Sequence, residues 1–159
     1  MTYSDILGNI KTVEQGREFS SEIDELLESL FKTQNNFQDS LNTISALDSQ
    51  MIKENLLKNG LDTRDLSMIK KYLECLKEEI QKLKIINLTL TYSPSQNSID
   101  AIFSWVAQNL GKGLVLDIKV DKAILGGAII EFEGKYEDLS LRKRLDELFR
   151  VKREEIITN

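Results

Sequence analysis

The sequence predicts an α+β protein, with an all-α bundle of three or four helices in residues 1–84 followed by a β-α-β-β-β-α domain with a mixed sheet in residues 85–159. Three observations carry this prediction. Apolar residues recur at helical spacing up to Leu83, and from Ile85 they alternate with polar residues as in half-buried strands. The chain is 41% hydrophobic and 30% charged, which is typical of a folded protein that buries a core.

The first long helix is predicted to begin at a capping box, because Thr12 and Gln15 have the spacing T-x-x-Q. Its apolar stripe consists of Phe19, Ile23, Leu26, Leu27, Leu30 and Phe31. The segment TQNN (33–36) breaks the pattern. A second helix is indicated by Phe37, Leu41, Ile44 and Leu47, and a third, ending at Asn59-Gly60, by Met51, Ile52, Leu56 and Leu57.

A fourth helix is predicted after residue 63, with Asp62 or Thr63 as its cap. Its stripe is the clearest of the first half: Leu66, Ile69, Tyr72, Leu73, Leu76, Ile80 and Leu83. On its surface Glu78 and Lys82 are four residues apart, a spacing at which opposite charges pair.

The second half begins with a strand in which Ile86, Leu88, Leu90 and Tyr92 alternate with polar residues. In SPSQ, Ser93 is expected to cap a helix, with Pro94 at its first position and Gln96 completing a capping box. One face of this helix carries Ile99, Ile102, Phe103, Val106 and Leu110, and Gly111 ends it. We expect the strands on either side of this helix to be parallel.

Two further strands and a last helix complete the predicted domain. The second strand has Leu114, Leu116, Ile118 and Val120 on one face, and the third has Ala128, Ile130 and Phe132. Glu133-Gly134 is a two-residue hairpin signal into a short strand at 135–137. The last helix is expected to bury Leu141, Leu145, Leu148 and Phe149, and the tail after it to fray or to extend the helix.

The pair Gly126-Gly127 has two possible interpretations. A phosphate-binding loop would lie after a strand and before a helix N-terminus, whereas this pair lies between two predicted strands. Residues without a Cβ also permit a positive φ, a bulge or the close approach of neighbouring backbone. The second interpretation fits the order of elements, so we expect a structural joint and no cofactor.

No catalytic or metal-binding constellation is predicted. The chain has no histidine and one cysteine, Cys75, which is expected to be half-exposed and inert. The strand carboxylates are expected on a solvated face of the sheet: Asp117, Asp121, Glu131 and Glu133. Asp138 is expected to cap the last helix.

Two features are candidates for partner binding. Arg142, Lys143 and Arg144 form a basic run on the last helix, either a solvated face or a binding patch. Trp105 lies beside the stripe of its helix, as an edge of the core or as an anchor for a partner. An RNA- or ribosome-associated protein is the alternative class, although a net charge of -5 and the lack of interleaved aromatics argue against it.

The second half resembles the C-terminal domain of the F-type ATP synthase delta subunit family, called the oligomycin-sensitivity-conferring protein in mitochondria. An alternating strand ending in Val-Asp and then Leu-Gly-Gly is matched by Val120, Asp121, Leu125, Gly126 and Gly127. A turn followed by Asp-Gly-Ser-v-r-g-r-Leu is matched by Gly134, Asp138, Ser140, Arg142, Arg144 and Leu145. Leu139 stands where the family has glycine, which suggests that Asp138 caps the helix directly.

This resemblance implies a non-catalytic stator connector without cofactor, metal or small-molecule substrate. Residues 1–84 would be a shortened bundle that binds the N-terminal helices of the alpha subunits. Residues 85–159 would bind the b subunits of the peripheral stalk. The resemblance also implies a bacterial protein on the cytoplasmic face of the plasma membrane. The protein would be associated with the membrane only through the ATP synthase complex.

Overall fold

The computed structural model describes residues 2–31 and 37–157 and divides the chain into two compact units, residues 1–84 (unit 1) and 85–159 (unit 2). The helices come first and a mixed four-stranded sheet with its helices follows, which confirms the predicted α+β class. The break predicted at TQNN lies outside the described residues. Within the described ranges no helix is both long and apolar enough to cross a lipid bilayer.

Unit 1 contains five helices in its described residues: α1 Ser4–Leu7, α2 Val13–Phe31, α3 Phe37–Ser40, α4 Ala46–Lys58 and α5 Leu66–Gln81. Its core forms where the long helices α2 and α5 pack along each other. Ile23 and Leu26 from α2 and Leu73 and Leu76 from α5 are fully buried. The stripes read from helical spacing therefore identify the two main faces of this core.

Two predicted helix ends of unit 1 are confirmed. The Gln15 N–H donates to Thr12 Oγ1 over 3.2 Å, and the Thr12 N–H donates to Gln15 Oε1 over 3.3 Å. This is the reciprocal capping box. Asn59 is the C-cap of α4 and is followed by Gly60 at φ 66°, the left-handed position that commonly ends a helix.

Other boundaries of unit 1 were wrong. The short helix α1 was not predicted, although Ile6 within it is buried. The stretch from Phe37 to Leu47 is not one helix, because α3 ends at Ser40 and Ser45 caps α4 by accepting from the Asp48 N–H. Leu47 and Leu57, both assigned to apolar stripes, are 70% and 75% exposed.

The fourth predicted helix begins later than expected. Asp65, and neither Asp62 nor Thr63, caps α5 by accepting from the N–H groups of Ser67 and Met68. Leu66 is consequently exposed at the first turn, outside the buried stripe. At the other end Lys82 pairs with Glu79 over 2.6 Å in place of Glu78, because three-residue spacing also brings side chains together.

A buried hydrogen bond joins α5 to α4, and a ring contact joins Tyr3 to α5. The Tyr72 hydroxyl donates to Asn55 Oδ1 over 2.7 Å, and the Tyr3 ring lies 5.3 Å from the Tyr72 ring. Burial, with the nearby Cys75 thiol, raises the pKa of Tyr3 to about 12. Cys75 is half-exposed, as predicted.

Unit 2 contains β1 Lys84–Leu90, α6 Gln96–Asn109, β2 Leu114–Val120, a 3-10 turn Lys122–Ile124, β3 Ala128–Phe132, β4 Lys135–Asp138 and α7 Leu141–Ile157. The strand order is β2-β1-β3-β4, with β3 antiparallel to both of its neighbours. The Asp121 N–H donates to the Leu90 oxygen over 2.8 Å, so the carboxyl ends of β1 and β2 lie side by side. That position agrees with the parallel pair expected from the helical connection.

The core of unit 2 lies between the sheet and α6. Ile86, Leu114 and Leu116 from the strands and Val106 from α6 are buried together, and Ile102 of α6 packs against them. The hairpin at Glu133-Gly134 is confirmed, because Phe132 pairs with Lys135 across a two-residue turn. Both turn residues have positive φ, 49° and 76°, as a type I′ turn requires.

The predicted start of α6 and two apolar assignments on either side of it were wrong. Ser95 caps α6 by accepting from the Ser98 N–H, so neither Ser93 as cap nor Pro94 at the first helical position holds. Tyr92 and Leu110 are 70% and 45% exposed and lie outside the strand and helix faces assigned to them. The tail was predicted either to fray or to extend the last helix, and it extends α7 to Ile157.

Candidate functional site

The two sequence motifs of unit 2 meet where α7 begins. Residues 121–128 run from the end of β2 into the first residue of β3, and residues 138–141 run from the end of β4 into α7. The Leu139 N–H donates to the Ala128 oxygen and the Leu141 N–H to the Gly126 oxygen, each over 2.9 Å. These two segments, which we call the joint, therefore hold the first turn of α7 against the sheet.

Gly127 is required at the joint for two reasons. Its φ is 79°, in the left-handed region that residues with a Cβ rarely adopt. A Cβ at this position would also clash with the Leu139 carbonyl oxygen. Gly126-Gly127 therefore permits a positive φ and a close approach of backbone, which is the structural interpretation of the pair favoured by the sequence.

Ser140 caps α7, which corrects the prediction for Asp138. The Ser140 hydroxyl accepts from the Lys143 N–H over 3.2 Å, and its side chain is buried. Asp138 ends β4 and accepts from the Ser140 N–H over 2.9 Å, so it fixes the turn before the helix. Hydrogen bonds from the Ser140 hydroxyl and N–H lower the pKa of the Asp138 carboxyl. No left-handed turn occurs at Leu139, since the described non-glycine residues with positive φ are Leu125 and Glu133.

The last helix does not bury the stripe assigned to it. Leu141, Leu148 and Phe149 are 46%, 60% and 59% exposed, whereas Leu145 is half-buried. An open cleft runs between the joint and α7, and the α7 residues that line it are polar, Asp146 and Glu147 among them. The polar side of α7 thus borders its own unit, and much of the apolar side is in solvent.

The basic run does not form one patch. Successive residues of a helix are rotated by about 100°, so Arg142, Lys143 and Arg144 point in three directions. All three are exposed, and Asp146 and Glu147 follow them on α7. This arrangement does not provide the continuous basic surface that nucleic acids require, and nothing in the described fold favours the RNA-associated alternative.

Trp105 is 55% exposed on α6, so the core of unit 2 leaves more than half of it in solvent. The strand carboxylates are also at the surface. Asp121 accepts from the Ala123 N–H over 2.8 Å and so supports the 3-10 turn, while Glu131 faces solvent. Among the described residues no three acidic or cysteine side chains lie close enough together to hold a metal ion.

Two features of the unit 2 surface were missed by sequence reasoning. Exposure of the α7 stripe could not be read from its spacing, which is the same for a core helix and for a docking helix. Leu125 has φ 62° and a side chain that is 58% exposed, and its motif position gave no sign of either. Asp138 and Ser140 were both in the motif, but their roles at the start of α7 depend on where β4 ends.

The chain matches the family model described as ATP synthase delta (OSCP) subunit over residues 3–151. It is 30% identical over 121 residues to an ATP synthase subunit delta of Vesicomyosocius okutanii, covering 70% of this chain and 66% of that protein. An ATP synthase subunit delta of Fusobacterium nucleatum is 34% identical over 95 residues, covering 58% of this chain and 55% of the relative.

The match to the ATP synthase subunit delta of Thermosipho africanus is shorter, with 30% identity over 70 residues, 44% of this chain and 38% of that protein. The chain thus aligns with between two fifths and two thirds of the length of these curated relatives. The family model, in contrast, covers most of the residues of both unit 1 and unit 2. The chain therefore belongs to the ATP synthase delta (OSCP) subunit family.

Proposed function

We propose that this protein is a non-catalytic stator connector of an F-type ATP synthase. It links the catalytic head to the peripheral stalk, so that the head does not turn with the rotor and proton flow stays coupled to ATP synthesis. The observation that carries the proposal is the family match over residues 3–151, which includes both compact units.

The division into two units supports a role in joining two partners. Unit 1 has its own core and presents exposed apolar side chains such as Leu57, while unit 2 presents Trp105, Leu148 and Phe149. We assign unit 1 to the N-terminal helices of the alpha subunits and unit 2 to the b subunits of the peripheral stalk. Docking of helices into grooves or onto helix faces suits both contacts. The complex then holds the protein at the cytoplasmic face of a bacterial plasma membrane.

The proposal is tested by tagging the full chain and recovering it from native membranes in a mild detergent. Alpha, beta and b subunits are expected to be recovered with it. A chain truncated after Lys84, which keeps unit 1 and lacks unit 2, is expected to lose the connection to b. Recovery of none of these subunits with the full chain would refute the stator function.

A further inference from the structure

One face of α7 is exposed although its sequence is that of a core-facing stripe. Leu141, Leu148 and Phe149, which are 46%, 60% and 59% exposed, are seven and eight residues apart and so lie on one side of the helix. Contiguous exposed apolar side chains mark surfaces that bind other macromolecules. We call these three residues the α7 stripe.

Leu125 stands at the beginning of this stripe. The next residue, Gly126, lies against Leu141, since a Cβ on Gly126 would be 3.5 Å from the Leu141 Cβ. Leu125 has φ 62° and is 58% exposed, so the chain accepts backbone strain that glycine would avoid and keeps a large apolar side chain in solvent. Strain of this kind at an exposed position points to a contact with a partner.

The charges beside the stripe define the chemistry of that partner. Helix geometry places Arg142 and Arg144 on opposite sides of the stripe, each roughly 80° from its centre, and Lys143 on the far side of the helix. Both arginine side chains are exposed, and Arg142 also lines the edge of the cleft. Guanidinium groups in these positions suit carboxylates on both flanks of an approaching apolar surface.

We propose that Leu125 and the α7 stripe bind one amphipathic helix of the peripheral-stalk subunit, and that this helix carries acidic residues on both sides of its own apolar stripe. The identity of the partner rests on the proposed function, whereas the position rests on the exposed residues. The occupant is a helix because the α7 stripe is a straight apolar row, about 12 Å long from Leu141 to Phe149, on one side of a helix.

The position is tested by placing the photocrosslinker p-benzoylphenylalanine at position 149 of the full tagged chain in cells that contain the native synthase. Position 143, on the far side of α7, is the control. The expected result is a crosslink from position 149, and none from position 143, to an acid-flanked helix of the stalk subunit. A crosslink to a second copy of this chain, equal yields from both positions, or no crosslink at position 149 would overturn the proposal.

The energetics are tested with membrane vesicles from which the catalytic head has been removed, so that the stalk remains. The double variant Leu148→Ser, Phe149→Ser is expected to weaken binding of the purified chain by about ten-fold or more. The matched control Leu47→Ser, on an exposed leucine of α4, is expected to leave binding unchanged. Arg142→Glu with Arg144→Glu is also expected to weaken binding, and Lys143→Glu is not.

Vesicles of lipid alone show whether any binding is to lipid, and an unchanged melting temperature shows that each variant is folded. Wild-type binding by the serine double variant would overturn the docking surface and leave the stator function intact. If the wild-type chain recovers no synthase subunit in the detergent experiment, the stator function is wrong. The crosslink at position 149 then decides the docking surface by itself.

Discussion

Helices α5 and α7 have similar amphipathic sequences and opposite surroundings. In α5, Ile69, Leu73 and Leu76 are fully buried against the rest of unit 1. In α7, Leu148 and Phe149 are 60% and 59% exposed, and the polar side of the helix lines the cleft of unit 2. The comparison teaches that helical spacing predicts an apolar face but does not tell whether the surface that covers it belongs to the same chain.

The largest expected effect is a difference in the free energy of unfolding between substitutions on the apolar faces of α5 and α7. Leu76→Ala is expected to lower the free energy of unfolding of unit 1 by about 3 kcal/mol, because it leaves a cavity in a packed core. Leu148→Ala, the matched change on α7, is expected to cost less than about 0.5 kcal/mol, since the side chain is already in solvent. Urea unfolding of both variants checks this, and similar losses for the two would show that the α7 stripe is packed within the chain.

A second prediction concerns how α7 is held. Gly127→Ala introduces a clash with the Leu139 oxygen as well as a residue in the left-handed region, and it is expected to destabilise unit 2 by roughly 3 kcal/mol. Gly113 is a matched control, because its φ of 78° is nearly the same as the 79° of Gly127, while a Cβ added to Gly113 would meet no described neighbour within 4 Å. Gly113→Ala is therefore expected to cost only about 1 kcal/mol.

The difference between these two variants isolates the clash from the backbone strain. It is measured by thermal unfolding, together with hydrogen exchange of the first turn of α7. Equal destabilisation by the two changes would show that the joint does not depend on close approach between Gly127 and Leu139.

A smaller effect is expected from a carboxyl pair that joins two helices of unit 1. Glu22 on α2 accepts from the Ser45 N–H at the start of α4, and the Ser45 hydroxyl donates to Asp48 over 2.8 Å. Burial and the neighbouring Asp48 carboxyl, with a smaller effect of Glu25, raise the pKa of Glu22 from 4.5 to about 7. The folded chain therefore binds a proton at Glu22 more tightly than the unfolded chain does.

Because the pKa of Glu22 is higher in the folded chain than in the unfolded chain, its contribution to stability is complete below pH 4.5. That contribution is lost as the pH rises through about 7. Glu22→Gln is expected to remove this dependence on pH. Between pH 5 and pH 8 the free energy of unfolding of the variant should therefore rise, relative to that of the wild type, by on the order of 1 kcal/mol after solvent screening. Thermal unfolding over this pH range measures the gain. Glu18→Gln, at an exposed position of α2, is the control, and parallel curves for Glu22→Gln and the wild type would contradict the assignment.

Local features whose hydrogen bonds lie within one short segment could be predicted from the sequence. Thr12 with Gln15, and Glu133 with Gly134, satisfy backbone groups of their own segment, so their geometry did not depend on distant contacts. The cap of α6 could not be predicted because two serines, Ser93 and Ser95, both precede the helix, and Ser95 is the one that caps it. The exposure of the α7 stripe could not be predicted either, because helical spacing does not show which surface covers an apolar face.

The central claim is that a partner covers the α7 stripe. It is tested most directly by the reactivity of a cysteine in place of Phe149, in a chain whose own Cys75 is replaced by serine. Glu147→Cys in the same background is the control on another side of α7. We predict that position 149 reacts rapidly with a water-soluble maleimide in the isolated chain and becomes protected in the assembled synthase, while position 147 stays reactive in both. Equal reactivity of position 149 in the free and assembled states would contradict the account.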